Sequence, residues 1–386
     1  MRILQIVNIG FEAGGAEKSV RLIANGLGAR GHQVRVVATD LLAEGQEVFA
    51  DDLVPAIRGN AARRLAGYFW YGRAHRQVAA VVRDFAPHCV HLHTIGEFSP
   101  SVLSATAGYP RVLTVHGPED WTRELLRWNL PSAAAGGRLS AGDAARYAYL
   151  RLLQRPAYLP RLRRVDRVLA PSRYFADAVA CDVGPVPVFV VPNGVPGKAA
   201  ARPVEALDHV VFAGRLEPVK GVGVLLDAFR TVAARHPGAR LTVVGDGSDR
   251  TRLEAAAADL VAEGRVDFRG WLPAEGVAEC LAAASVVALP SLWPENFPTV
   301  ALEALRLGRP LVASRVGGLP ELVGEDNGAL VPAGDAPALA DALGGLLGDR
   351  TALERRGAES AARAGRYGVD GFLDALEEHY REVVAS

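Results

Sequence analysis

The run Ile3-Leu4-Gln5-Ile6-Val7-Asn8-Ile9-Gly10-Phe11-Glu12-Ala13-Gly14-Gly15-Ala16-Glu17 decides the fold. A short, β-branched apolar stretch (residues 3–7) enters a glycine-rich loop. Beyond the loop, apolar residues recur three and four apart over about 16–29, the spacing of a helix with one buried face. A second β-rich stretch follows at 34–38. Strand, helix and strand in that order form a βαβ unit, and its connection is long enough to demand parallel pairing.

The same rhythm runs outward from this unit. Strands are expected at 88–93, 111–116, 167–170 and 188–191, with room for crossover helices between them. Turn formers in Val191-Pro192-Asn193-Gly194-Val195-Pro196-Gly197, then small and polar residues up to Pro203, break the pattern and mark a linker. The rhythm restarts with strands at 209–213, 241–244, 266–269, 286–289 and 310–313, and helices at 222–234, 249–263, 273–283 and 299–307. After Tyr367 a last amphipathic helix carries Phe372, Leu373, Leu376, His379 and Tyr380. The expected fold class is α/β, with two doubly wound Rossmann-like domains facing a central cleft. Residues 1–195 form the first, 203–365 the second, and the helix within 366–386 packs back on the first. Ligands of such open sheets bind at the carboxyl ends of the strands, so function is sought there.

A chain of 386 residues suits two cores rather than one, and its composition is that of a globular protein. Its 43 basic and 43 acidic residues balance, so no global field draws it to nucleic acid. Cys89, Cys181 and Cys280 lie far apart and read as isolated thiols rather than a disulfide or metal framework. The apolar run at the start is too short for a signal peptide or a membrane span, which sets the expectation of a cytoplasmic protein.

Four loops carry the chemistry. Adjacent Gly14 and Gly15 open a helix, where backbone N–H groups can approach an anion, although a plain tight turn explains them equally well. The spacing is neither Gly-x-Gly-x-x-Gly nor a Walker lysine loop, which disfavours a nicotinamide dehydrogenase or a phosphate-loop ATPase. In Gly214-Arg215-Leu216-Glu217-Pro218-Val219-Lys220-Gly221, two cations sit between a strand and a helix, a suitable clamp for a diphosphate. Gly245 and Asp246 follow the next strand in a second close-approach loop. The most informative stretch runs from Leu289 to Ala304 and holds Glu295 in a loop and Glu303 one turn into the following helix. Glu303 is placed to accept from ribose hydroxyls, and Glu295 to hold sugar hydroxyls or to steady positive charge at an oxocarbenium-like centre.

With these residues in view, the chain resembles the family 4 glycosyltransferases, retaining enzymes of the GT-B fold. The resemblance rests on Gly214-Arg215 through Lys220-Gly221, on Glu295 with Glu303, and on Gly317-Gly318-Leu319-Pro320-Glu321-Leu322-Val323. Gly14-Gly15-Ala16-Glu17, Thr114-Val115-His116-Gly117 and Val191-Pro192-Asn193-Gly194-Val195 add to it, so it covers nearly the whole chain. It implies transfer of a hexosyl group from a nucleotide-diphosphate sugar to a hydroxyl of a glycan, glycolipid or natural product, without metal or other cofactor. Arg215 and Lys220 would bind the diphosphate, Glu303 the ribose and Glu295 the transferred sugar. The backbone of Asn296, Phe297, Pro298 and Thr299 would approach sugar and phosphate. Gly14 and Gly15 would close over the donor, and His116 would touch the sugar or the acceptor. His116, Glu295, Arg215 and Lys220 are thus the expected catalytic set. Trp271-Leu272 and Pro290-Ser291 are expected near the base, whose identity stays open. Many family members carry glycine where this chain has Pro298, so anion contacts there must come from neighbours such as Thr299. A sugar-nucleotide epimerase or a non-catalytic nucleotide-sugar-binding protein on the same fold is the alternative.

His91 and His93, on an earlier strand, read as structural. Residues 121–167 mix Arg123, Arg127, Arg151, Arg155, Arg161, Arg163 and Arg164 with Trp121, Leu126 and Trp128, and Arg63, Arg64, Phe69, Trp70 and Tyr71 extend the theme. Such a stretch reads either as core aromatics with solvated arginines or as a wall for a lipid-linked or anionic acceptor. The second option leaves open a peripheral contact at the inner face of the membrane.

Overall fold

The computed structural model describes residues 1–41, 47–119, 121–123, 125–130 and 139–386, without the side chains of Arg127 and Asn129. It divides into two compact units. The first holds the described residues up to Gly194 together with Val369–Ser386, and the second holds Val195–Gly368.

In the first unit, β1 (Arg2–Ile9), β2 (Gln33–Thr39), β3 (Asp52–Val54), β4 (Cys89–Leu92), β5 (Arg111–Thr114), β6 (Arg167–Ala170) and β7 (Val188–Val190) form one sheet. Its order is β3-β2-β1-β4-β5-β6-β7, and every pair is parallel. The central strands are covered on both faces, which is why β1 reads as a nearly unbroken apolar run: Ile3, Leu4, Ile6 and Val7 are all fully buried. Leu4 and Ile6 join Val90, Leu92, Leu113 and Phe175 in one core. Ile3 turns to the other face with Cys89, Val112 and Leu169. That second face is closed by helices Gly15–Ala29 and Val369–Ala385, the latter through Phe372, Leu373, Leu376, Tyr380 and Val383. Gly26 lets these helices meet, since a Cβ there would lie 2.4 Å from Cδ1 of Leu373. The terminal helix thus completes the first core, with His379 half-buried at its edge and hydrogen-bonded to Arg167.

In the second unit, β8 (His209–Ala213), β9 (Arg240–Val244), β10 (Val266–Gly270), β11 (Val286–Leu289), β12 (Leu311–Ser314) and β13 (Gly328–Val331) form a sheet in the order β10-β9-β8-β11-β12-β13, again all parallel. Three details depart from the sequence reading. The expected helix over 249–263 is two pieces, Arg250–Ala256 and Ala258–Ala262, because Ala257 leaves helical geometry (φ −109°, ψ 13°). The edge strands β3 and β13 carry no sequence signal, being three and four residues long and, for β13, opening on a glycine. β3 opens on an acid, and β13 offers only three apolar residues after its glycine.

Candidate active site

The site of the second unit is built from the loops that follow β8, β9 and β11, at the carboxyl ends of parallel strands. After β8 the chain passes Gly214 and Arg215 into a tight turn, Pro218–Lys220, that delivers helix Val222–Arg235. After β11 it passes Pro290 to Pro298 into helix Thr299–Arg306. The N–H of Leu292 donates to the carbonyl of Val219 (2.7 Å), tying the two loops together.

That tie brings two catalytic candidates into one ion pair. Lys220 Nζ lies 2.6 Å from Glu295 Oε1, and Ser291 Oγ donates to the same oxygen at 2.6 Å. The Glu295 side chain is only 9% exposed and that of Lys220 only 17%. Burial pushes the Glu295 carboxyl up. The charge of Lys220 and hydrogen bonds from Lys220 and Ser291 outweigh it, so the group lies below its ordinary range and stays ionised. Nζ also sits 5.1 Å above the ring of Trp293, a second reason for the ammonium to rest here. The backbone of Glu295 is gripped in turn. The N–H of Gly318 donates to its carbonyl (2.7 Å), and Gly317, at φ +54°, lies so close that a Cβ would meet that oxygen at 2.0 Å. The Gly317-Gly318 motif therefore serves to hold Glu295.

Arg215 has a different setting. It is exposed and has no hydrogen-bond or ion-pair partner among the described residues. It leaves the same loop as Lys220 and offers a charge not yet committed to an acid. Gly245, by contrast, is accounted for by packing. At φ +129° its Cβ would lie 1.9 Å from the carbonyl of Gly214, so the loops after β8 and β9 are pressed together. The N–H of Leu216 donating to the carbonyl of Asp246 (2.8 Å) seals that contact. The Asp246 carboxylate turns outward to accept from the Gly247 N–H and from Arg250.

The remaining donor candidates spread around this pair. Asn296 and Phe297 are buried, Phe297 edge-on to Tyr367 at 5.2 Å. Pro298 is the N-cap of the helix that Thr299 begins, and Glu303 lies half-buried one turn further on. Trp271, just past β10, is 67% exposed, while Leu272 leans on the core beneath. Among the described residues no cluster of His, Cys, Asp and Glu is arranged to hold a metal ion.

In the first unit, Gly14 is the N-cap of helix Gly15–Ala29 and supplies no side-chain cap. Helix-start N–H groups, which lack partners within the helix, are the feature that suits such a loop to an anion. Asn8, at the end of β1, stitches this loop region to the one after β4: its N–H donates to Thr94 and its amide oxygen accepts from the Glu97 N–H. His116 stands two residues past β5, half-buried, with Nε2 2.9 Å from Nδ1 of His93. His93 and His91, read from sequence as structural, are fully buried. His91 and His93 lie ring to ring at 3.9 Å, and His91 Nδ1 and Nε2 contact Tyr380 Oη (2.6 Å) and Thr114 Oγ1 (2.7 Å). Burial lowers all three imidazoles, His91 to about 3 and His116 to about 4. The signal for this string was present in the sequence as two histidines at i and i+2 beside the strand that leads to His116.

The basic stretch, of which residues 120, 124 and 131–138 lie outside the described residues, holds both core and exposed side chains. Trp121 is a core residue, and Arg155 is paired with the buried Asp182 at 2.5 Å. Leu152 and Leu153 are exposed. Tyr149 Oη donates to the carbonyl of Leu65 on helix Ala61–Phe69, beside exposed Leu65, Phe69 and Trp70, with Arg63, Arg64, Arg146 and Arg151 on the same segments. Among the described residues no helix is long and apolar enough to cross a membrane.

Residues 13–196 match the family model "Glycosyltransferase Family 4", and residues 208–349 match "Glycosyl transferases group 1". A 2-deoxystreptamine N-acetyl-D-glucosaminyltransferase of Streptomyces fradiae is 32% identical over 341 residues, 82% of this chain and 76% of that protein. The chain belongs to glycosyltransferase family 4. A second relative, the D-inositol 3-phosphate glycosyltransferase of Nocardia farcinica, is 32% identical over 283 residues. That match takes in 66% of this chain and spans only 62% of the relative's own length. Two solved structures share the fold. Sucrose-phosphate synthase from Thermosynechococcus elongatus superposes with TM-score 0.79 at 21% identity, over 100% of this chain and 99% of its own. Anabaena HepE, crystallised with UDP, gives 0.70 at 22% identity over 98% and 99%. The two-sheet architecture is that of GT-B family 4 proteins, as the motifs imply.

Proposed function

We propose that this family 4 chain is a retaining, metal-independent hexosyltransferase that moves a sugar from a nucleotide-diphosphate donor to an acceptor hydroxyl. The observation that carries the reading is the buried Lys220–Glu295 pair with uncommitted Arg215 on the same loop. A leaving diphosphate needs cations, and Lys220 supplies one from a largely buried position and Arg215 another from the exposed part of the same loop. Glu295 holds Lys220 in place and offers its carboxylate to the sugar. As the bond from the anomeric carbon to the diphosphate oxygen breaks, the acceptor oxygen attacks from the same face. The acceptor proton passes to the departing phosphate oxygen, so configuration is retained without a covalent enzyme intermediate.

Glu303 is assigned to the ribose and Trp271 to the edge of the base; the UDP bound by HepE favours trying uridine donors first. The relatives act, by their names, on inositol 3-phosphate and on 2-deoxystreptamine, both six-membered carbocyclic polyols, so a cyclitol or cyclitol-bearing lipid is the acceptor class proposed. Transferase names among the relatives do not favour the epimerase or binding-protein alternative. Thermal unfolding in EDTA against UDP, GDP and ADP tests the donor half, because a ligand of the native state raises its midpoint. Stabilisation by one nucleotide diphosphate is expected, and none with any of the three would defeat the proposal.

The exposed Leu65, Phe69, Trp70, Leu152 and Leu153 beside arginines support a peripheral contact with an anionic bilayer from the cytoplasmic side. Sedimentation with phosphatidylglycerol vesicles but not with phosphatidylcholine vesicles is the expected result; equal sedimentation with both, or with neither, counts against the contact.

A further inference from the structure

We propose that His93 is a positioning residue, which sets the tautomer of His116 so that His116 offers a hydrogen-bond donor, not a base, to its ligand. The inference rests on the reading of His116 as a group beside the transferred sugar or the acceptor.

The argument runs through the nitrogens. His93 Nδ1 and His116 Nε2 are 2.9 Å apart, so one proton lies between them. His93 Nε2 is buried and has no hydrogen-bond partner among the described residues. If His116 were the donor, His93 would carry its own proton on Nε2, a buried N–H bonded to nothing. If His93 is the donor, its Nε2 is only a bare lone pair. An orphaned buried N–H is the rarer and more costly defect, so the proton sits on His93 Nδ1. A doubly protonated ring would put a cation into a fully buried site, which desolvation opposes. His116 therefore accepts at Nε2 and carries its hydrogen on Nδ1, which makes no hydrogen bond to any described residue and is left for a ligand lone pair. His91 keeps His93 from turning. Its ring lies 3.9 Å from that of His93 and is fixed at both nitrogens, by Tyr380 of the terminal helix and by Thr114 of β5.

The tautomer is read directly on the full chain labelled with 15N-histidine, by long-range proton–nitrogen correlation, with His116→Gln assigning the ring. A bare Nε2 and a protonated Nδ1 at His116 are expected. A protonated Nε2, or an imidazolium near neutral pH, overturns the proposal whatever the enzyme's activity. Kinetics supply the second arm. His93→Leu should lower kcat about tenfold, the scale of one hydrogen bond, with KM for the nucleotide sugar changed by less than about twofold. His93→Asn, which keeps an N–H near the position of Nδ1, should recover most of kcat. Unchanged kcat in His93→Leu, or no recovery in His93→Asn, overturns the positioning role. Loss of the transferase reading would instead appear as a wild-type chain that no nucleotide diphosphate stabilises, a result that leaves the tautomer measurement intact.

Discussion

The two units bury titratable groups in opposite ways. In the second, Glu295 and Lys220 go below the surface together, each the other's counterion, and the carboxylate stays ionised. In the first, His91 and His93 are fully buried and His116 half-buried, their hydrogen-bond partners among the described residues include no acid, and burial strips them of charge. The difference follows from the partners supplied. A charge held in low dielectric demands an opposite charge within a few ångströms, whereas an imidazole can answer burial by shedding its proton. The contrast also separates two kinds of chemistry. In the proposed reaction, loops 214–221 and 291–295 would face the anionic leaving group, while the histidine string would offer neutral hydrogen bonding to hydroxyls.

The largest break in this comparison is expected from Lys220→Ala. It would leave the Glu295 carboxylate buried and unpaired, which destabilises by about 3–5 kcal/mol. The melting temperature should drop sharply, and turnover should fall on the order of a thousandfold as the diphosphate loses its preorganised cation. Adding Glu295→Gln removes the stranded charge and should restore much of the stability and none of the turnover. If Lys220→Ala melts like wild type, the pair does not hold the two loops. If the double variant regains turnover, the cation assignment is wrong.

What could be read in the sequence divides along similar lines. The strands of both sheet centres are legible because burial on two faces leaves short, mostly apolar runs rich in β-branched residues. Glu295 and Lys220 are each legible as unusual residues in loops after strands. Their pairing is not, since they are 75 positions apart and meet only because the Leu292 N–H docks on Val219 and Gly317-Gly318 grips the backbone of Glu295. Gly245 reads as a ligand-approach glycine when its closest neighbour is the carbonyl of Gly214. Sequence locates close approach without saying what approaches. The place of His93 is a further case. A histidine at the end of an apolar strand is a core residue by type, and only the register of β4 against β5 carries it to His116.

A smaller effect, and a sharper test of the contrast, lies in the acid dependence of stability. His91 binds its proton near pH 3 in the native chain and near 6.5 when unfolded. Between those values the unfolded state holds more protons, so stability falls as pH falls. At pH 5 the deficit is about 2 kcal/mol for His91, since 1.5 units at 1.36 kcal/mol each have been lost. His116, with a native value of about 4, adds in the same direction. Glu295 acts lower down. Its native value lies below its ordinary one of 4.5, so its contribution is whole above that point and disappears only as pH falls through the native value. Urea unfolding from pH 7.5 to 5 should therefore show a decline that belongs to the histidines. His91→Gln should be less stable at pH 7.5, having traded two good hydrogen bonds for poorer ones, yet decline less steeply toward pH 5. A slope equal to that of wild type would mean that His91 titrates normally and that the first unit does not hold its histidines neutral. The same slope in the Lys220→Ala/Glu295→Gln double variant and in wild type between pH 6.5 and 5 would be the complementary result, because the Glu295 carboxylate paired with Lys220 takes no part in that window.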